Sequence, residues 1–333
     1  MSNILVTGGT GFLGAHILYY LTKNNNNPIA IKRKSSSLEN VKKIFLDHGD
    51  VNYNLFKKII WKELDLLDFY NVGDSLKNID VIFHVAGIVS FNQKMKDQLL
   101  ETNFFATKNL VNFSLSNNVS KFYFISSVAT LSKDFNQDFF DEESWFSWSD
   151  KKSNYAISKY LAEMEVWRGF SEGLKGCILN PSLIIGPGDT NGLFSNMIKK
   201  LGNKSIFYPK GSSGFVDVRD VAQIIIQLDQ MNITNERYIV NGYNLSFKKL
   251  LRIFSEKANT SKPSIPISRS IVNVYLIASK IFNTIIGQNT LLTREMLDFL
   301  DGELKYSNQK ITKKLNYKFM DFTKSLEDTI KRF

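Results

Sequence analysis

The chain has 333 residues, of which 43% are hydrophobic and 22% charged, and 42 lysines and arginines against 32 acidic residues give a net charge of +10. This length and composition suit one large or two modest globular domains with a sizeable core. The single cysteine, Cys177, excludes a disulfide framework, and His16, His48 and His84, with no paired spacing, offer no metal set. The lysines are scattered without a basic-aromatic stripe, which excludes a nucleic-acid-binding reading and leaves a weak pull toward anionic cofactors or an anionic membrane face. No apolar run reaches the roughly 18 residues of a membrane span. No signal peptide precedes the first strand, so the expected location is the cytoplasm.

The first element is an apolar run, Ile4 to Val6, that reads as a buried parallel strand. A glycine-rich turn follows, Thr7-Gly8-Gly9-Thr10-Gly11-Phe12-Leu13-Gly14, and a helical pattern opens at Phe12 with Leu13, Ile17, Leu18 and Leu21. Strand, glycine turn and helix are the context in which such a fingerprint binds a dinucleotide. Gly9, Gly11 and Gly14 satisfy one spacing of the motif, and Gly8, Gly11 and Gly14 another. One glycine permits the turn, one admits a pyrophosphate close to the backbone, and one lets helix and strand pack, so the phosphates meet the helix N-terminus. Gly8, Thr10, Gly11, Phe12, Leu13 and Gly14 are therefore the candidate contacts. A glycine turn without a ligand is the bland alternative.

Ile29 to Ile31 reads as a second strand, ending in Lys32-Arg33-Lys34 and a serine turn. An acidic residue at this point would bond the adenosine ribose; Arg33 stands there instead. A carboxylate would repel a 2′-phosphate and a guanidinium pairs with one, which predicts NADP(H) over NAD(H). A solvated basic loop is the alternative. Ile59 to Trp61 begins a third strand that ends at Asp65-Leu66, and Phe69 to Leu76 a short helix. Val81 to Val85 is a fourth strand with a small-residue end, Ala86-Gly87, across which a flat cofactor can lie. A helix from about Met95 to Asn117 carries Asn103. The fifth strand, Lys121 to Ile125, ends in Ser126-Ser127.

Next comes a loop rich in aromatics: Phe135, Phe139, Phe140, Trp145, Phe146 and Trp148. It reads as the wall of an apolar pocket or as side chains packing a loop. A helix over about 153–170 and a sixth strand, Cys177 to Asn180, stopped by Pro181, complete the rhythm. Such alternation specifies a doubly wound parallel sheet, with ligands at the carboxyl ends of its strands. Those ends carry Gly8 to Gly11, Arg33, Asp65, Ala86, Ser127 and Pro181. Beyond Pro181, the segment Phe215 to Ala222 reads as a strand and helix returning to the main domain. The apolar stretch 271–286 suggests the core of a small domain, a pocket lining or a helix on a membrane surface.

Tyr155 and Lys159 form a Tyr-x-x-x-Lys pair on one helix face. A cation beside a phenol lowers its pKa toward working pH and makes an acid–base catalyst for a carbonyl/alcohol pair. The pattern occurs four times, at Tyr19/Lys23, Tyr53/Lys57, Tyr155/Lys159 and Tyr306/Lys310. Only Tyr155 follows a hydroxyl-ended strand by one loop, so Ser127 could hold a substrate oxygen while Tyr155 moves the proton. Tyr306 falls in a lysine-rich, poorly patterned segment.

Together, residues 7–14, His84-Val85-Ala86-Gly87, Asn103, Ile125-Ser126-Ser127, Tyr155-x-x-x-Lys159, Asn180-Pro181-Ser182 and Val216 to Val221 resemble the extended short-chain dehydrogenases/reductases, the NAD-dependent epimerase/dehydratase superfamily. The resemblance covers residues 3 to about 225. It implies Ser127, Tyr155 and Lys159 as the catalytic set, with Asn103 anchoring a water near the lysine. It also implies Lys159 on the nicotinamide ribose, Asp65 and Leu66 at the adenine, and a possible homodimer through the helices holding Asn103 and Tyr155. Val128-Ala129 stand where dehydratases carry an acidic pair, and Leu183 where sugar-nucleotide enzymes carry a diphosphate-binding asparagine. Asp141 to Trp145 and Asn180 to Asp189 look like the dihydroflavonol reductase, cinnamoyl-CoA reductase and 3β-hydroxysteroid dehydrogenase branch.

The sequence thus predicts an α/β protein with a Rossmann domain (1–181 plus 216–240) and a smaller, discontinuous substrate domain (182–215 plus 241–333). The expected activity is NADP-dependent reduction of an apolar or aromatic ketone or aldehyde. The alternatives are an NAD(P)-dependent sugar-nucleotide epimerase and a non-catalytic nucleotide sensor or assembly factor on the same fold.

Overall fold

A computed structural model describes residues 2–132, 138–150, 152–189, 192, 194–196, 198, 206–267 and 294–331. The strands that read as continuous apolar runs form the centre of one sheet. β1 (Ile4–Thr7) and β4 (Val81–His84) are buried along their whole length, as strands covered by helices on both faces must be. Around them lie β2 (Ile29–Lys32), β3 (Ile60–Glu63), β5 (Lys121–Ile125), β6 (Cys177–Pro181) and β10 (Glu236–Val240). The strand order is β10-β6-β5-β4-β1-β2-β3 and every pairing is parallel. The order reverses between β1 and β4, where a doubly wound sheet opens a crevice for ligands.

Two apolar layers cover this sheet. On one face α1 (Phe12–Lys23) packs beside α7 (Val218–Gln230), and Ile17, Leu18, Leu21, Ile224, Ile225 and Leu228 join one core with Val6 and Phe83. On the other face α5 (Ala106–Ser116) and α6 (Asn154–Ser171) bring Leu110, Val111, Ala162 and Val166 against Leu5, Ile82 and Phe124. Cys177 is buried in the sheet, where burial pushes its thiol up to about 12.

The sequence reading differs from the structure in places. Pro181 does not stop β6 but is its last residue, paired with Val240 at the sheet edge. β10, the outermost strand, is not singled out by the sequence; its Tyr238, Ile239 and Val240 are buried. The strand before α7 is β9 (Ser212–Asp217). It belongs to a second, three-stranded sheet with β7 (Leu183–Ile185) and β11 (Tyr243–Ser246), so only the helix returns to the main sheet. That sheet has its own core with α8 (Phe247–Ala258) and α11 (Phe322–Ile330), built from Phe194, Phe215, Phe247, Leu250 and Leu326. The apolar stretch 271–286 lies outside the described residues. Among the described residues no helix is long and apolar enough to cross a membrane.

Candidate active site

The carboxyl ends of the parallel strands open into a cleft of about 1590 Å³. The glycine turn forms one end of it. Gly8 has φ +67°, a conformation that L side chains rarely adopt, and a Cβ there would lie 2.7 Å from the Ala86 nitrogen. Gly14 is the close-packing glycine: a Cβ on it would overlap the Gly8 carbonyl oxygen and come 2.9 Å from the Gly9 Cα. Gly11 caps α1 with ordinary extended angles, φ −81° and ψ 171°. Only the Gly8 oxygen lies within 4 Å of a Cβ built there, so Gly11 leaves open the space that a pyrophosphate needs. Of the two possible glycine spacings, the one that starts at Gly8 lines the cleft; Gly9 instead backs onto Leu18 and Ala30. The turn thus fits a dinucleotide, and Gly8, Thr10, Gly11, Phe12, Leu13 and Gly14 all face the cleft.

The loop at Ala86 is fixed by a buried relay. The Thr7 hydroxyl accepts from the Val85 and Ala86 N–H groups and donates to His84 Nδ1 at 2.7 Å. His84 Nε2 meets the Thr107 hydroxyl at 2.8 Å, and that hydroxyl in turn donates to the Asn103 carbonyl at 2.6 Å. Since Thr107 spends its proton on a carbonyl, His84 carries its hydrogen on Nε2. Burial holds its pKa down at about 3, so it stays neutral.

Asn103 sits in a wide turn, Leu100–Phe105, that bulges the helix before α5 and is a frequent companion of functional sites. Its side chain accepts from the Ile88 N–H at 2.9 Å and donates to the Ile88 carbonyl and the Ser158 hydroxyl. It lies close to Gly87, as does the Lys159 ammonium.

Ser127, Tyr155 and Lys159 come together at the middle of the cleft. Ser127 stands two residues past β5 and caps a one-turn helix, its Oγ accepting from the Ala129 N–H at 3.1 Å. Its hydroxyl is also the group that acts to lower the pKa of the Tyr155 phenol. Ser153 caps α6 by accepting from the Ala156 N–H, which starts the helix just before Tyr155. Lys159 donates to the Ile125 carbonyl at 2.6 Å and lies 4.2 Å from the Phe124 ring centre. Burial lowers its pKa to about 7, against the opposing pull of Glu163. The sequence argument expected Lys159 to depress the phenol. Instead burial raises the Tyr155 pKa, with only the Ser127 hydroxyl acting downward; Lys159, its own pKa lowered to about 7, has shed its proton by the pH at which a phenol titrates.

At the β2–β3 end of the cleft Arg33 is exposed on the rim beside Ser36, while neighbouring Lys32 is engaged by Glu63 at 2.8 Å. Asp65 and Leu66 line the same end, and Asp65 accepts from the Leu67 N–H at 3.0 Å. Ala86, Gly87 and Pro181 also face the cleft.

Some of the wall was not foreseen. Tyr306, set aside as poorly patterned, is buried beside Phe140 at a ring separation of 5.1 Å and lines the cleft with Leu131, Leu183, Phe194 and Leu304. Of the aromatic loop, Phe135 lies outside the described residues and Phe140 alone of the others faces the cleft. Phe146 stacks on Tyr160 at 4.1 Å, and Trp145 and Trp148 are exposed. The histidines are also paired despite their spacing. His16 Nε2 donates to the Pro187 carbonyl at 2.9 Å, so its Nδ1 accepts from His48 Nε2 at 2.9 Å. This bridge ties α1 to the Gly186-Pro187-Gly188 turn, and burial keeps both rings neutral, with pKa values of about 4 and 3. Of the other tyrosine–lysine copies, Tyr306 lies in the cleft wall with its Lys310 held by Glu236, and the remaining two stand elsewhere. Tyr19 is stacked on His48, and Tyr53 sits outside any helix at φ +54°.

The model of the NAD dependent epimerase/dehydratase family matches residues 4–241, which contain every part of the site described so far except Leu304 and Tyr306. The chain belongs to that family. Its sequence is 26% identical over 246 residues to cinnamoyl-CoA reductase 1 of Petunia hybrida, covering 71% of each chain. It is also 26% identical over 266 residues to dihydroflavonol 4-reductase of Arabidopsis thaliana, covering 75% of this chain and 68% of that one. Among solved structures, the crystal structure of gox2253 superposes with a TM-score of 0.83 at 26% identity, covering 100% and 98% of the two chains. UDP-glucose 4-epimerase of Thermotoga maritima gives 0.75 at 20% identity over 99% and 98%, a likeness of fold. Within the NAD dependent epimerase/dehydratase family the chain is an NAD(P)-dependent oxidoreductase acting on CH–OH and carbonyl groups.

Proposed function

We propose that the protein reduces a ketone or aldehyde of an apolar or aromatic small molecule with NADPH. The observation that carries this reading is the meeting of Ser127, Tyr155 and Lys159 in one cleft with the Gly8–Gly14 turn. The resemblance to two named reductases supports it. So do the apolar walls of the cleft at Leu131, Phe140, Leu183 and Leu304.

The glycine turn would hold the pyrophosphate, Arg33 the 2′-phosphate, Asp65 and Leu66 the adenine, and Lys159 the nicotinamide ribose, with Ala86, Gly87 and Pro181 beneath the nicotinamide. The bound cofactor supplies the hydride for carbonyl reduction. Ser127 is placed to hold the carbonyl oxygen by hydrogen bonding, and Tyr155 to give it a proton. A phenol held above its ordinary pKa keeps its proton at neutral pH, which a donor must do. Lys159 fixes the ribose and, in its ammonium form, stabilises the phenolate left after the proton has moved. The apolar walls exclude water from the reacting carbon.

The test is NADPH oxidation with a panel of apolar ketones and aldehydes. Tyr155→Phe is expected to lower turnover by about 100-fold or more, the scale of general acid catalysis, while NADPH still binds. Turnover that survives in this variant would remove Tyr155 as the donor.

A further inference from the structure

One turn beyond Lys159 on the same face of α6 lies Glu163, a carboxylate only 1% exposed. Its Oε2 accepts from the Ser126 hydroxyl at 2.6 Å and the Asn180 amide at 3.0 Å, with the Thr130 hydroxyl 3.2 Å away. Its Oε1 pairs with Arg237, itself 4% exposed, at 3.2 Å. Arg237 is anchored in turn, donating to the Glu142 carbonyl and lying over the Trp145 ring at 4.4 Å. The Thr130 hydroxyl and Asn180 amide beside Glu163 also hold Ser127 itself. Asn180 donates to the Ser127 carbonyl at 3.0 Å and Thr130 donates to it at 2.9 Å.

We propose that Glu163 is a positioning residue: its carboxylate holds the Ser126–Thr130 turn that presents Ser127, and its negative charge faces Lys159 one helical turn away. A buried carboxylate accepts three bonds here, from Ser126 just after β5, from β6 and from β10, with the Thr130 hydroxyl alongside, so it ties the pieces of chain that bear the reacting groups to one another. The ion pair with Arg237 alone would not require Ser126, Thr130 and Asn180 to converge on the same oxygen. The titratable groups facing Lys159 among the described residues are Tyr155 and Glu163 on its own helix and neutral His84 on β4. Its other neighbours, the Ile125 carbonyl, the Phe124 ring and Asn103, are uncharged. Glu163 is thus the charge that opposes loss of the ammonium proton.

The inference rests on Ser127, Tyr155 and Lys159 being the reacting set, and its test needs no turnover, so a failed substrate screen is a separate result. Glu163→Gln keeps the acceptor and removes the charge. E163Q/R237M removes both members of the buried pair, a replacement that such pairs often tolerate. Two readouts follow in the full chain: the titration of Lys159 by carbon-13 lysine NMR, assigned with Lys159→Met, and hydrogen exchange at the Ala129 amide that Ser127 holds. The Lys159 midpoint is expected to fall by about one unit in both variants, a tenfold loss of proton affinity. Ala129 is expected to exchange about tenfold faster. Glu163→Asp, which keeps the charge on a shorter arm, is expected to restore the lysine titration and not the Ala129 protection. In a variant that folds as judged by circular dichroism, either readout unchanged from the wild type would overturn the proposal and leave Glu163 as a partner of Arg237 only.

Discussion

Two neighbouring glycines in the nucleotide turn should respond to alanine in opposite ways. At Gly14 the new methyl would meet three backbone atoms: the Gly8 oxygen, the Gly8 carbonyl carbon at 2.8 Å and the Gly9 Cα at 2.9 Å. None is the end of a flexible side chain, so helix and turn must separate. Alanine's helix propensity returns about 1 kcal/mol, while overpacking costs about 1–3 kcal/mol and more where backbone must move. With the cost at the top of that range or above it, Gly14→Ala is expected to lose about 2 kcal/mol of stability or more and to bind no dinucleotide. At Gly11 the backbone angles suit alanine, and only the Gly8 oxygen, at 3.2 Å, is near. Gly11→Ala should change stability by less than about 1 kcal/mol, because its methyl points into the cleft. That methyl stands where the pyrophosphate must approach, so affinity for NADPH should fall at least tenfold, or about 1.4 kcal/mol. Urea denaturation and a fluorescence titration of NADPH measure the two quantities on the same samples. A Gly11→Ala protein that binds NADPH like the wild type would refute the assignment of the turn. A Gly14→Ala protein of full stability would refute the packing argument.

Arg33→Ala should weaken NADPH about tenfold and leave NADH unchanged, since a guanidinium on the rim has only the 2′-phosphate to distinguish the two; equal losses for both cofactors in the same titration would contradict this. Acid should destabilise the fold over a defined window. His16 has its pKa lowered from 6.5 to about 4 by burial, and His84 from 6.5 to about 3. A folded pKa below the unfolded one means that the unfolded chain binds the proton first. Stability is therefore complete above about pH 6.5 and falls as pH drops toward 4, by about 3 kcal/mol for His16 alone. Denaturation midpoints at pH 7.5 and 4.5 measure it, and His16→Gln should flatten the dependence; equal wild-type midpoints would contradict the buried-histidine account.

The nucleotide half of the molecule was legible because its signals are local. The glycine spacing, the apolar runs of β1 and β4 and the hydroxyls just after β5 each lie within a few residues, and local geometry decides them. Tyr155 was singled out from the other three copies by a signal of the same local kind, and both it and Tyr306 line the cleft. What escaped the sequence depends on contacts distant in the chain. Tyr306 reaches the cleft because residues 304–306 pair with Ser212 and Phe140. His16 and His48 meet across 32 residues because α2 (Glu39–Asp47) packs on α1. The phenol of Tyr155 differs from the sequence expectation because the pattern Tyr-x-x-x-Lys shows a neighbouring amine but not the burial that lowers the lysine and raises the phenol. β9 read as part of the main sheet since its apolar run is followed directly by α7; its partner, β11, lies beyond a further strand.

The central claim is hydride transfer to a carbonyl carbon with Tyr155 as the proton donor. Its most direct measurement uses NADPH carrying deuterium at the transferable position of nicotinamide C4 and an apolar ketone or aldehyde, with product analysis by mass spectrometry. The account predicts one deuterium on the carbinol carbon, stoichiometric loss of NADPH, and near absence of both in Tyr155→Phe. Conversion of a substrate with no net consumption of cofactor and no deuterium in the product would contradict it and point to epimerase chemistry on the same fold.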